Sequence, residues 1–132
     1  MKRLLVFLLM TVTLSSLARA QERDTTVSAR RWTAENTVFA FCATSALVMD
    51  WAQATYIAEH PDKVREINPI LGEHPSVGQV NVYSVSSIVG ALAVAGALPN
   101  PWRNRFLKAV YMVEMLAVIW NASSGVGVSF RF

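Results

Sequence analysis

Two acidic side chains lie inside long apolar stretches of this chain, where acidic residues are uncommon. Asp50 directly follows the apolar run 37–49, and Glu114 lies near the middle of a second run, 106–121. A carboxylate surrounded by hydrocarbon is costly unless it is paired or protonated. We therefore expect both side chains to face the interior of a helix bundle, where they could bind a cation, relay a proton or act as general acid and base.

Other polar side chains recur at helical spacing, so that each predicted helix carries a polar stripe. Residues three or four apart share a helical face. At 1.5 Å per residue, Asp50 and Ser84 lie at a similar depth, roughly 10–12 Å from the connecting loop. Carboxylates meeting at that depth would share a proton, whereas the alternative is that the polar groups pair only to fix helix register. The candidates for a ligand or ion site are Asp50, Gln53, Asn81, Ser84, Tyr111 and Glu114.

The segment 60–76 is polar and interrupted by prolines, which predicts an irregular loop. Its candidate functional residues are Glu66, Asn68 and His74. Imidazole and carboxylate groups in one segment permit a metal site, but their spacing here matches no defined metal motif. We therefore predict neither a metal site nor a cofactor. No motif in the sequence specifies a reaction.

Residues 1–20 have the pattern of a cleaved secretory signal peptide. A basic start precedes the apolar core 4–14, and Ala18-Arg19-Ala20 is a small-x-small cleavage site. Cleavage would remove three of the 12 basic residues, which balances the remainder against the 9 acidic residues. The basic composition of the whole chain is therefore no indication of a nucleic-acid partner.

The remaining chain predicts an all-α fold: a three-helix transmembrane bundle that follows the signal peptide. A flexible arm at 21–32 precedes a single helical domain, 33–132, which ends in an extended C-terminal tail. The second predicted helix is free of charge over a length that matches a bilayer. Its small residues Ser87, Ala91 and Ala95 form a ridge that would let helices approach closely. The predicted helices span about 33–58, 77–98 and 106–121.

Helix boundaries rest on local signals. Thr33 is a suitable N-cap for the first helix, but Asn36 replaces the Glu or Gln that usually completes a capping box, so no capping box is expected. Pro99-Asn100-Pro101 is expected to end the second helix in a tight turn.

Two signals disagree about the direction of insertion. A cleaved signal peptide leaves residue 21 on the periplasmic side, together with Arg103, Arg105 and Lys108. The positive-inside rule favours the opposite arrangement. We give cleavage more weight and predict an exported protein of the bacterial inner membrane with a periplasmic N-terminus.

Several short motifs together resemble a group of small helical membrane proteins from proteobacteria and their phages. They are Asp50-Trp51-Ala52-Gln53, Glu66-Ile67-Asn68-Pro69, His74-Pro75-Ser76 and Val80-Asn81-Val82-Tyr83. The resemblance covers roughly residues 48–130. It implies an Asp-containing first helix, a Glu-x-Asn-Pro loop and two further hydrophobic helices, and it brings no known activity.

The leading functional hypothesis is a non-enzymatic membrane protein of the bacterial envelope. It would assist assembly or regulation, or bind a small ligand or cation in its polar interior. One alternative is an enzyme acting on a lipid or envelope substrate through Asp50, Glu114 and His74. The other is a phage-like lysis or pore-forming protein. The expected partners are membrane lipids, and further a second copy of the chain or another envelope protein.

Overall fold

Three helices account for all regular structure in the part of the chain that the computed structural model describes, residues 31–66 and 68–132. Helix α1 spans Ala34–Glu59, α2 spans Val77–Ala97 and α3 spans Trp102–Ser123. At 1.5 Å per residue the helices are about 39, 32 and 33 Å long. The predicted all-α class and the three helices are confirmed. The predicted signal peptide, and all of the predicted arm before residue 31, lie outside the described residues.

Helix α1 is central to the bundle, because it packs against both other helices while α2 and α3 contact each other least. The core is small and is built around Ala43, Ala95 and Leu107, one from each helix. Small side chains on α1 and α2 allow the helix backbones to approach closely. Ala95, the last residue of the predicted small-residue ridge, is fully buried there.

Both α1 and α2 begin with a capping box. Ser76 and Gln79 form the usual reciprocal pair at the start of α2. At the start of α1, the Thr33 hydroxyl accepts from the Asn36 amide at 3.2 Å, and Asn36 Oδ1 accepts from the Thr33 amide at 3.0 Å. The expectation that α1 lacks a capping box was therefore wrong. The shorter Asn side chain reaches the N-cap amide and satisfies it as Glu or Gln would.

Helix α3 begins at Trp102, four residues before the predicted start at 106, because Arg103 is taken into the bundle. The Arg103 side chain is buried, with Nε donating to the Ala95 carbonyl at 2.7 Å and Nη1 donating to Asn36 Oδ1 at 3.2 Å. Its guanidinium also lies 4.7 Å from the centre of the Trp32 ring. One cation thus joins all three helices at the end of the bundle where α1 begins.

The C-terminal tail, 125–132, folds back over the other end of α1. The Ser129 amide donates to the Ala52 carbonyl at 3.0 Å, and the Ser129 hydroxyl donates to Glu59 Oε2 at 2.6 Å. Arg131 lies 3.5 Å from Glu59 Oε1. The hydrogen bond from Ser129, together with the charge of Arg131, lowers the pKa of the Glu59 carboxyl.

Replacing Arg103 by Met should destabilise the protein by about 2–4 kcal/mol, because the Ala95 carbonyl and Asn36 Oδ1 lose their buried donor. Thermal unfolding followed by circular dichroism measures the loss. Arg105→Met is the matched control, since Arg105 is exposed and lies 5.0 Å from the Trp102 ring centre, a contact that contributes at most about 1 kcal/mol. Equal losses in the two variants would contradict a central role for Arg103.

Candidate functional site

A cavity of about 280 Å³ lies between the three helices and the loop 60–76. That volume is near the lower end of the range for small-molecule sites. Its wall combines acidic, hydroxyl and amide groups with an apolar portion. The lining residues are Asp50, Glu66 and Glu114, then Tyr83, Ser84 and Ser87, then Asn68 and Asn121, and finally the apolar Leu47, Leu71, Val113 and Ala117.

Each helix contributes a predicted site residue to this wall. Asp50 comes from α1, Ser84 from α2 and Glu114 from α3. Because consecutive helices run in opposite directions, residues at the same depth in the bundle come together, and the convergence of these three was predicted on this basis. The polar stripes of the three helices therefore do meet in the interior of the bundle.

The loop closes one side of the cavity with Glu66 and Asn68, both predicted candidates. Glu66 Oε1 accepts from the Asn68 amide at 2.9 Å, and the Glu66 amide donates to the Glu73 carbonyl at 3.3 Å. Asn68 in turn caps the next turn, with Oδ1 accepting from the Ile70 amide at 3.0 Å. Gly72 completes the turn at φ +80°, a conformation that favours glycine.

Four predicted site residues lie elsewhere. Gln53 donates to the Val118 carbonyl at 3.1 Å, and Tyr111 packs against the apolar core. Asn81 accepts from Trp51 Nε1 at 2.8 Å and so joins α2 to α1. His74 is exposed on the loop and does not line the cavity.

Three polar lining residues were not among the predicted candidates: Tyr83, Ser87 and Asn121. Ser87 follows Ser84 by one helical turn, and Asn121 follows Glu114 by two turns, so helical spacing could have identified both. Tyr83 precedes Ser84 directly, and nothing in the spacing distinguishes it. Its position depends on the rotation of α2 about its own axis.

The cavity is acidic, because three carboxyl groups line it and none of the described Lys, Arg or His residues does. Electrostatic repulsion couples Asp50 with both Glu66 and Glu114. Within the described residues, neither Asp50 nor Glu114 has a hydrogen bond or an ion pair, in contrast to Glu59 with its two partners. The described residues contain no group of three or more His, Cys, Asp or Glu arranged to hold a metal ion. This arrangement can attract a positively charged group.

Comparison of the chain with protein-family models, with curated proteins and with solved structures finds no match. The resemblance to small proteobacterial membrane proteins therefore stays an expectation. Any function has to be argued from the cavity and from the surface that surrounds it.

Replacing Asp50 by Asn should leave the unfolding midpoint at pH 7 unchanged or raise it, because Asp50 has like charges nearby and no protein partner. Glu59→Gln should lower the midpoint, because it removes the negative charge that strengthens the hydrogen bond from Ser129 and forms the ion pair with Arg131. Thermal unfolding of both variants and of the parent protein measures the difference.

The Glu59 effect should also depend on pH. Since folding lowers its pKa, Glu59 stabilises the fold above the pKa of a free glutamate, about 4.3, and loses this effect as pH falls through the lowered value. The unfolding midpoints of the parent and of Glu59→Gln should therefore converge in acid.

A strong loss of stability in Asp50→Asn at pH 7 would contradict the prediction for that variant and would show that Asp50 is charged and paired.

Proposed function

We propose that this protein is a small integral membrane protein of the bacterial envelope that binds a small cation inside its helix bundle. The observation that carries the proposal is the acidic cavity, which is lined by three carboxyl groups and, within residues 31–66 and 68–132, by no basic side chain. Uncompensated carboxylates inside an apolar bundle are costly, and a bound cation removes that cost. The role is binding rather than catalysis.

The apolar exterior of α2 and α3 supports a membrane location. Of the described helices, these two are long and apolar enough to cross a bilayer. Only 17% of the most apolar stretch of α2, and 11% of that of α3, is buried inside the protein. A core helix of a water-soluble protein would be mostly buried. An exposed apolar surface of this extent needs a lipid or protein environment. The exposed side chains include Val82, Val85, Val89 and Leu92 on α2, and Met112, Val113, Leu116 and Ile119 on α3.

We propose that α1 crosses the membrane as well. At about 39 Å it exceeds the hydrocarbon thickness of about 30 Å. It is not among the helices that are identified as apolar enough to cross a bilayer, and its apolar sequence is interrupted by Asp50 and Gln53. Asp50 faces the cavity and Gln53 contacts α3, so neither polar group requires contact with lipid.

For orientation, we propose a signal peptide cleaved after residue 20 and a periplasmic N-terminus in the inner membrane. Arg103, Arg105 and Lys108 then lie near the periplasmic face, against the positive-inside rule. Mass spectrometry of the mature N-terminus tests the cleavage directly.

The enzyme alternative uses Asp50 and Glu114, with His74 as a further candidate. The first two line the cavity, but His74 lies outside it and is exposed. Asp50 and Glu114 thus meet without His74 beside them, and we propose binding as the role of the cavity.

The parent protein should remain in cell membranes after carbonate extraction. A variant that places a charge on the lipid-facing surface should be released from them. Met112 is exposed at the middle of α3, where an arginine costs about 2.5–3.5 kcal/mol of insertion free energy. Met112→Arg should therefore reduce the fraction of the protein that stays in the membrane after carbonate extraction. Ala122→Arg, near the end of the same helix, is the control. Parent protein that washes off with carbonate would contradict an integral location.

Cation binding should be measurable by isothermal titration calorimetry of detergent-solubilised protein at pH 7. The panel is Na⁺, K⁺, Mg²⁺ and short alkylammonium ions. Because a hydrogen bond to a charged group is worth about 1.5–3 kcal/mol, the double variant Asp50→Asn/Glu114→Gln should weaken binding about 10- to 100-fold. The matched control, Asp62→Asn/Glu73→Gln, changes exposed loop carboxylates and should bind as the parent does. The proposal fails if no cation binds or if the two double variants bind equally well.

A further inference from the structure

The cavity holds hydrogen-bond acceptors that no other part of the described chain uses. Ser84 and Asn121 both line the cavity and are only 6% and 7% exposed. Neither side chain has a hydrogen-bond partner among the described residues. Their polar atoms are not sealed inside the protein, because the buried side-chain atoms without a partner among the described residues are Gln53 Oε1 and Asn100 Oδ1. The polar atoms of Ser84 and Asn121 are therefore open to the cavity that both residues line, where a ligand can supply their hydrogen-bond partner.

The pattern of acceptors fits an ammonium group. A primary ammonium has three N–H donors, and the cavity offers carboxylate, hydroxyl and amide oxygens at Asp50, Glu114, Ser84 and Asn121. A quaternary ammonium has no N–H donor and favours a cage of aromatic rings, whereas Tyr83 is the single aromatic residue of the wall.

A groove adjoins the cavity on the outer side of α2. Leu71 and Tyr83 line both spaces, and the groove, about 570 Å³, continues past Ile70, Gly78 and Val82. Its surface is predominantly apolar, with Ile70 and Val82 strongly exposed. A ligand whose charged end lies in the cavity can therefore extend an aliphatic chain between the loop and α2.

We propose that the site takes a primary aliphatic amine, with its protonated amino group in the acidic cavity and its carbon chain along the groove past Leu71 and Tyr83. This inference rests on the proposed cation binding and names the class of cation. The occupant is an amphipathic alkylammonium compound, which can reach the groove from the lipid-facing side of α2.

The experiment measures the affinity of solubilised parent protein for propylamine, butylamine, pentylamine and hexylamine by calorimetry. If each added methylene is buried in the groove, affinity should rise about fourfold per methylene. Tetramethylammonium, Na⁺ and Mg²⁺ should bind at least tenfold more weakly than butylamine. Alcohols of the same chain lengths measure partition into the detergent alone, and their heats are subtracted from those of the amines.

Two classes of variant separate the head group from the chain. Val82→Ser should flatten the dependence on chain length and leave propylamine affinity within about twofold of the parent. Val85→Ser is its control, because Val85 is exposed on the same helix but lines neither space. Ser84→Ala should weaken every amine about threefold to tenfold, while Ser45→Ala, at an exposed serine of α1 that lines neither space, should not.

The outcomes are distinguishable. Binding of Na⁺, K⁺ or Mg²⁺ but not of amines overturns this inference and leaves the proposed function intact. So does amine binding without a chain-length trend, or with a trend that Val82→Ser and Val85→Ser alter equally. Absence of binding by every cation overturns the inference and the proposed function together. If Asp50→Asn fails to fold, Ser84→Ala and Val82→Ser still decide.

Discussion

Carboxyl groups without a protein partner, held between apolar helices, are the constraint around which this fold is arranged. In the proposed membrane location, a carboxyl group that faced lipid would be costly, and the helices that carry Asp50 and Glu114 turn those side chains toward a shared cavity instead. Their convergence on the same cavity orients α1 against α3. Small residues at the helix contacts, such as Ala43 and Ala95, then let the bundle close around the polar space.

The charged side chains that lie in or against the bundle differ in how they are compensated. Arg103 donates to a carbonyl and to an amide oxygen and joins three helices, so the protein itself compensates its charge. At the opposite end of α1, Glu59 is likewise held by Ser129 and Arg131. Asp50 and Glu114 have no such partner among the described residues. Partnered charges stabilise the fold, and unpartnered ones indicate where something else binds.

Helical periodicity was sufficient to predict the three helices and the meeting of Asp50, Ser84 and Glu114, because side-chain depth and face follow from residue number alone. It could not place Gln53, Asn81 and Tyr111, since each side chain found a nearer partner on a neighbouring helix. Those partners depend on the rotation of each helix, which spacing does not specify. Nor could it foresee that Arg103 would be buried, because the acceptors come from residues distant in sequence.

Part of the cavity wall is formed by the loop 60–76 rather than by the helices. Glu66 supplies one of the three carboxyl groups, and it is positioned by hydrogen bonds within a short irregular segment rather than by a helix. The same segment contributes Leu71 to the boundary between cavity and groove. Loop segments open locally at lower free-energy cost than packed helices. A ligand held by Asp50 and Glu114 on the helices, and by Glu66 on this loop, would therefore stabilise the loop where it lines the cavity.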